Sequence, residues 1–231
     1  MNPLAVIFDW DGVVIDSSEK HEKSWELLAA ETGRELPRDH FRRGFGRKNQ
    51  IIIPEILNWS HDPDEIQRLA DRKEELYRDL VRESGVTILP GAREILSTLR
   101  EQNIPAAIGS STPRANLEAI FASTGLDAYF RAVVSAEDVV HGKPAPDVFL
   151  KAAVRLDQPP SACVVFEDAL FGIEAAQRAG MKVVAVATTN PLDLLQHADR
   201  AVASLEEVTV EDLRALVRYQ RGRASSTGLG V

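Results

Sequence analysis

The chain has 231 residues, 44% of them hydrophobic, enough to bury one core and carry a smaller insertion. A net charge of −8 and a pI near 5.2 argue against a nucleic-acid surface, which would reward clustered Lys and Arg. The single cysteine cannot form an internal disulfide, and Cys163 lies in an apolar run, as a buried inert thiol would.

The opening run Leu4-Ala5-Val6-Ile7-Phe8 is too short for a useful helix and predicts a strand buried on both faces. It is also too short for a signal peptide or a membrane span, so the expected compartment is the cytosol, with no membrane partner. Asp9-Trp10-Asp11-Gly12 follows at once. Ionised carboxylates at the mouth of a buried strand are costly unless a cation or hydrogen-bond donors meet them, so both should face a cleft beyond the strand's carboxyl end. D-x-D-G is also an ordinary turn, and the stretch alone does not separate the two. It is not a calcium loop, because Lys20 stands where a bidentate Glu is required.

After Asp16 the period becomes helical. His21, Trp25, Leu28 and Ala29 share one face of a helix over 17–32, and Ile66 to Val81 forms an apolar stripe on a second helix over 64–82. Lys73 lies inside that stripe, either snorkelling to solvent or projecting its ammonium toward an anion in a cleft. Between the helices, Arg42 to Lys48 is a basic, glycine-bearing loop; it is either a solvated charge run or a phosphate-facing loop, and it lacks a dinucleotide fingerprint.

From Gly91 an α/β rhythm begins. The pattern predicts a helix over 92–102 and a strand over 104–108 that ends in Gly109-Ser110-Ser111-Thr112-Pro113, a loop of exposed donors suited to an anion. A helix over 114–123 and a strand over 132–134 lead to His141-Gly142-Lys143-Pro144-Ala145-Pro146-Asp147. There two prolines are expected to hold the backbone beside Lys143 extended and fix its charge. A helix over 147–156 precedes the strand 163–166, which ends in Glu167-Asp168 before a helix over 169–179. Asp168 alone could be a helix cap, but carboxylate pairs at the ends of two buried strands are harder to explain that way. A strand over 182–187, a short helix after Pro191, a strand over 201–203 and a helix over 210–218 complete the pattern.

The expected architecture is an α/β, doubly wound, mostly parallel sheet with an inserted helical domain. Residues 1–16 and 86–220 would form the core, 17–85 the insertion, and 221–231, rich in Gly and Ser, a frayed tail.

Taken together, Asp9-Trp10-Asp11-Gly12, Ser110, Lys143 and Glu167-Asp168 resemble, in order and spacing, the four motifs of the haloacid dehalogenase superfamily. The insertion straight after the first motif resembles the subfamily with a small helical cap, which includes phosphoglycolate and sugar-phosphate phosphatases and β-phosphoglucomutase. The resemblance implies that Asp9 takes the phosphoryl group as an aspartyl phosphate and that Asp11 protonates the leaving oxygen and then deprotonates water. It implies that Ser110, followed by Ser111 and Thr112, and Lys143 hold the phosphoryl oxygens. Mg²⁺ would be held by Asp9, Glu167 and Asp168, with Asp11 contributing its carbonyl oxygen. A cation is required because carboxylate and phosphate charges 4 Å apart repel by about 4 kcal/mol per unit pair at an effective dielectric of 20.

By the same resemblance His21, Arg47 and Lys73 occupy cap positions that meet the substrate or support closure. The partner expected is a small phosphorylated metabolite such as a sugar or polyol phosphate, handled by a monomer or small homo-oligomer. A β-phosphoglucomutase is the alternative function, with carbon-halogen hydrolysis and non-catalytic binding of a phospho-ligand ranked below it. Where the mutases carry a small-residue, Lys-Asn type segment after the serine, this chain has Ser111-Thr112-Pro113-Arg114. Pro113 removes a donor there, and Arg114 is the available substitute.

Overall fold

The strand after Met1-Asn2-Pro3 is the middle of everything that follows. In the computed structural model, which describes residues 3–44 and 47–226, β1 (Ala5–Phe8) is flanked on both sides by parallel neighbours. These are β4 (Ala106–Gly109) and β6 (Cys163–Glu167). Outside them lie β5 (Ala132–Val134), β7 (Lys182–Val186) and β8 (Arg200–Val202), giving the order β5-β4-β1-β6-β7-β8. All the pairings in this six-stranded sheet are parallel. The chain winds outward from β1 to β5, then returns past β1 to start β6. That reversal opens a crevice at the carboxyl ends of β1, β4 and β6.

Alternation builds two cores. Val6, Phe8, Ile108, Val164, Phe166 and Val184 point to one face, and Ala5, Ile7, Ala107, Val165, Val183 and Ala185 to the other. Phe8 stacks on Phe166 with ring centroids 4.9 Å apart, in agreement with their pairing in register. Register is what places the carboxylates. With Phe8 opposite Phe166 and opposite Ile108, the next residue, Asp9, falls beside Glu167 and Gly109, and its N–H donates to Phe166 O at 2.9 Å.

The chain leaves the core through β2 (Ile15–Asp16) and returns through β3 (Thr87–Ile88), a short antiparallel ribbon that the sequence pattern did not show. Between them run α1 (Ser18–Thr32), α2 (His40–Gly44), α3 (Asn49–Ile51) passing into a π-helical turn (Ile52–Ile56), and α4 (Pro63–Ser84). The start of α4 is well specified: Asp62 Oδ1 accepts from Glu65 N–H at 2.9 Å, Pro63 opens the first turn, and Asp64 and Glu65 complement the helix dipole. Trp25 and Leu28 of α1, Ile52, Ile53 and Ile56, and Leu69 and Leu76 of α4 form a third apolar cluster, separate from those on the sheet. The insertion therefore carries its own core.

The sheet is covered by α5 (Ala92–Glu101), α6 (Arg114–Thr124), α7 (Asp147–Leu156), α8 (Leu170–Arg178) and α9 (Val210–Ser226). Two expectations need correction. Helix α9 runs to Ser226, past the start of the expected tail 221–231, and 227–231 lie outside the described residues. The segment beside Lys143 is a turn and not extended: Lys143-Pro144 is a cis peptide, Ala145 N–H donates to Gly142 O at 3.0 Å, and Pro146 has helical dihedrals. In the basic loop, Phe45 and Gly46 lie outside the described residues.

Candidate active site

A cavity of about 820 Å³ opens at the carboxyl ends of β1, β4 and β6 beneath the insertion, and every site residue singled out from the sequence lines it. At its floor is a buried ionic cluster. Lys143, whose side chain is only 5% exposed, places Nζ 2.8 Å from Asp9 Oδ1 and 2.5 Å from Glu167 Oε1. The bond to Glu167 has hydrogen-bond geometry. The contact with Asp9 is an ion pair without that alignment, so Asp9 Oδ1 is a buried acceptor with no hydrogen bond of its own. Glu167 Oε2 accepts from the N–H groups of Asp168 and Ala169, both at 2.8 Å. Asp168 does not cap α8, whose N-cap position belongs to Ala169. Its Oδ2 accepts from the Thr189 hydroxyl.

Asp9, Glu167 and Asp168 each bring a carboxylate oxygen within 4.8 Å of the others. One lysine cannot balance three carboxylates. Burial, only partly offset by Lys143 and reinforced by Glu167, pushes Asp9 up to about 7; burial with the charges of Glu167 and Asp9 pushes Asp168 well above the usual carboxylate range. Lys143 is held well above the ordinary lysine range, since the attraction of Asp9 and Glu167 outweighs the burial that would lower it. An all-oxygen donor set with excess negative charge and an unbonded buried acceptor fits a hard divalent cation. Asp11 stands apart from this cluster by side chain, which leaves its main chain as the part that could serve a metal.

Asp11 is instead held by donors. Ser17 Oγ donates to its Oδ1 at 2.5 Å, Thr112 Oγ1 donates to its Oδ2, and His21 Nε2 lies 3.6 Å from Oδ1. Burial would raise this carboxyl, but the hydrogen bonds of His21, Ser17 and Thr112 bring it down to about 2. Ser110, also buried, accepts from Thr112 N–H through Oγ at 3.1 Å. The serine loop therefore touches Asp11 through Thr112.

Lys73 does not snorkel to solvent. It is 2% exposed, with Nζ 2.6 Å from His21 Nδ1 and 3.0 Å from Glu74 Oε1. An ammonium only donates, so His21 Nδ1 accepts and its Nε2–H faces Asp11. Glu74, Asn116 and Arg78 complete a network that the sequence reading missed. Asn116 donates to Glu74 Oε2 at 2.5 Å and accepts from Arg78 at 3.0 Å. The available signal was a second charged residue, Glu74, directly after Lys73 on a helix that must bury one face. Arg47 stacks over the Phe171 ring at 5.0 Å and lies 3.7 Å from Glu55. Arg114 turns away to bind Asp138 at 2.7 Å. Cys163 is buried and its thiol is pushed up to about 12 by burial, as expected of an inert thiol.

The arrangement is that of a doubly wound α/β protein with a buried acidic cluster at the sheet's carboxyl edge beneath a helical insertion. Residues 3–180 match the haloacid dehalogenase-like hydrolase family, and the chain belongs to it. It is 40% identical over 216 residues to the chloroplastic 5-amino-6-(5-phospho-D-ribitylamino)uracil phosphatase of Arabidopsis thaliana, covering 92% of this chain and 57% of that protein. The chain thus spans little more than half of that relative's length. It is 37% identical to the fructose-1-phosphate phosphatase YqaB of Escherichia coli (strain K12), over 78% of this chain and 95% of that protein. Among solved structures, the β-phosphoglucomutase of Clostridium difficile superposes with a TM-score of 0.84 at 27% identity, covering 96% of this chain and all of that one. The family and its named phosphatases support the phosphoric monoester hydrolase expected from the sequence. Among the described residues no helix is long and apolar enough to cross a membrane.

Proposed function

We propose that the protein is a Mg²⁺-dependent phosphatase that hydrolyses a small phosphorylated metabolite through an aspartyl phosphate on Asp9. The observation that carries this reading is the juxtaposition of Asp9 with Lys143, Glu167 and Asp168 at the floor of a cavity large enough for a phosphorylated sugar or polyol. Asp9 attacks phosphorus, and Lys143 screens the charge of both the nucleophile and the phosphoryl oxygens. Ser110 and the Ser111 to Thr112 backbone bind those oxygens, and Asp11 hands a proton to the leaving oxygen. A carboxyl held at about 2 carries no proton at neutral pH, so Asp11 acts as an acid only once bound substrate displaces at least one of its donors and lets it take up a proton from solvent. Having given that proton to the leaving oxygen, it takes one back from the water that attacks phosphorus and frees Asp9 and phosphate. Mg²⁺, held by Asp9, Glu167 and Asp168, would supply charge neutralisation for the attack.

Residues 17–85 act as a cap that excludes water and presents His21, Arg47 and Lys73 to the substrate. Cytosolic placement belongs to this reading, whereas the Arabidopsis relative is chloroplastic. A phosphoglucomutase is the second reading, favoured by the likeness to the Clostridium enzyme. Against it stands Arg114, the available substitute for the mutases' second-phosphate contacts, which is tied to Asp138. The experiment is phosphate release from a panel including fructose 1-phosphate and β-glucose 1-phosphate with Mg²⁺, run with wild type and Asp9→Asn. Free phosphate from wild type alone supports the phosphatase. Glucose 6-phosphate accumulating with a trace of glucose 1,6-bisphosphate would replace it with the mutase.

A further inference from the structure

The loop after β7, which the sequence reading left without a role, grips the acidic cluster from the side. Thr189 Oγ1 donates to Asp168 Oδ2, Asn190 Nδ2 donates to Asp168 O at 2.9 Å, and Thr188 Oγ1 donates to Gly12 O. On the other side, a Cβ on Gly12, whose φ is +80, would lie 1.9 Å from Asp168 Oδ2 and 3.0 Å from Thr189 Oγ1. The Asp168 carboxylate is thus wedged between the first-strand turn and Thr189, with Oδ2 committed and Oδ1 left over.

We propose that Thr189 is a positioning residue that keeps Asp168 a one-oxygen ligand and thereby sets the site for Mg²⁺ against Ca²⁺. The inference rests on the metal reading above. Mg²⁺ takes six oxygens in a tight octahedron and retains waters, whereas Ca²⁺ takes six to eight at longer distances and is favoured by bidentate carboxylates. Glu167 is likewise constrained. Glu167 Oε2 is occupied by two backbone N–H groups and its Oε1 by Lys143, so that it too is held by fixed donors. Release of Asp168 Oδ2 makes Asp168 available as a bidentate carboxylate. Thr189 lies on the exposed loop, where substitution removes the hydroxyl without opening the core.

The test is calorimetric titration of metal-free protein with MgCl₂ and, separately, CaCl₂, for wild type, Thr189→Val and Thr189→Ser. Partners that orient ligands typically change metal affinity by about 10–100-fold. Thr189→Val is expected to weaken Mg²⁺ binding on that scale and Ca²⁺ binding less, so that the preference for Mg²⁺ falls. Thr189→Ser is expected to keep the wild-type preference. An unchanged preference in Thr189→Val, or an equal fall in Thr189→Ser, would overturn the proposal while leaving the metal site intact. Wild type that binds neither cation would instead remove the metal reading beneath it. Thr189→Ala serves the same comparison if the valine variant does not fold.

Discussion

Glu74, on α4 of the insertion, accepts a hydrogen bond at 2.5 Å from Asn116, a fully buried residue of α6 in the core. This is a polar joint between two apolar clusters, and it is completed by Asn49 at 2.7 Å, Lys73 at 3.0 Å and Arg78 on the far side of Asn116. Burial would raise the Glu74 carboxyl, but the charge of Lys73 and the amides of Asn49 and Asn116 hold it below the ordinary range. A depressed acid stabilises the fold fully above its unfolded pKa, about 4.3, and loses that contribution as pH falls through the folded value. Glu74→Gln is therefore expected to flatten the stability profile below about pH 4.3. Asn116→Ala is expected to cost about 1.5–3 kcal/mol, because a charged group loses a donor in a buried place. Urea unfolding of the variants across pH checks both, and a Glu74→Gln profile parallel to wild type would mean that the joint is not ionised.

The same electrostatic reasoning applies with opposite charge at the cavity floor. Lys143 is the single cation among three buried carboxylates, and removing one partner from a buried ionic cluster typically costs about 3–5 kcal/mol. Lys143→Met should lose turnover and, in the presence of a chelator, be destabilised on that scale. Added Mg²⁺ should return part of the stability without returning the activity. Equal denaturation midpoints for Lys143→Met and wild type in the chelator would show that the cluster is not charged as drawn.

Chelation of the wild type provides a third measurement. A ligand that binds only the folded state stabilises it by about 2.7 kcal/mol at one hundred times its dissociation constant. EDTA is expected to abolish phosphate release and lower the unfolding midpoint, and Mg²⁺ to restore both. Full activity in chelator would exclude a metal-dependent reaction at this site.

How much of this was legible in the sequence follows from the physics of each element. Strands buried on both faces are continuous apolar runs, so β1 and β6 and the carboxylates at their tips stood out, and the register between Phe8 and Phe166 then brought the tips together. The β2–β3 ribbon did not, because strands of two residues carry no period. The partners of Lys73 were hidden for a different reason. Its contact with His21 spans 52 positions, and periodicity places a residue on a helix face without saying what lies across from it. Thr189 was invisible because a Thr-Thr-Asn loop after a strand looks like any turn until Asp168 is seen against it.

Gly172 gives a prediction in which local propensity and packing disagree. It sits in the first turn of α8, where replacing Gly by Ala would ordinarily stabilise a helix interior by about 1 kcal/mol. A Cβ there, however, would lie 1.7 Å from Glu167 Oε1, the atom that holds Lys143, and 1.9 Å from Glu167 Cδ. Neither side can yield easily, because Glu167 Oε2 is bound to two backbone N–H groups. Gly172→Ala is therefore expected to lower the thermal midpoint despite its better helix propensity, and to lower kcat by displacing Lys143 from Asp9. A midpoint above wild type, with kcat unchanged, would mean that Glu167 swings clear and that its bond to Lys143 is dispensable.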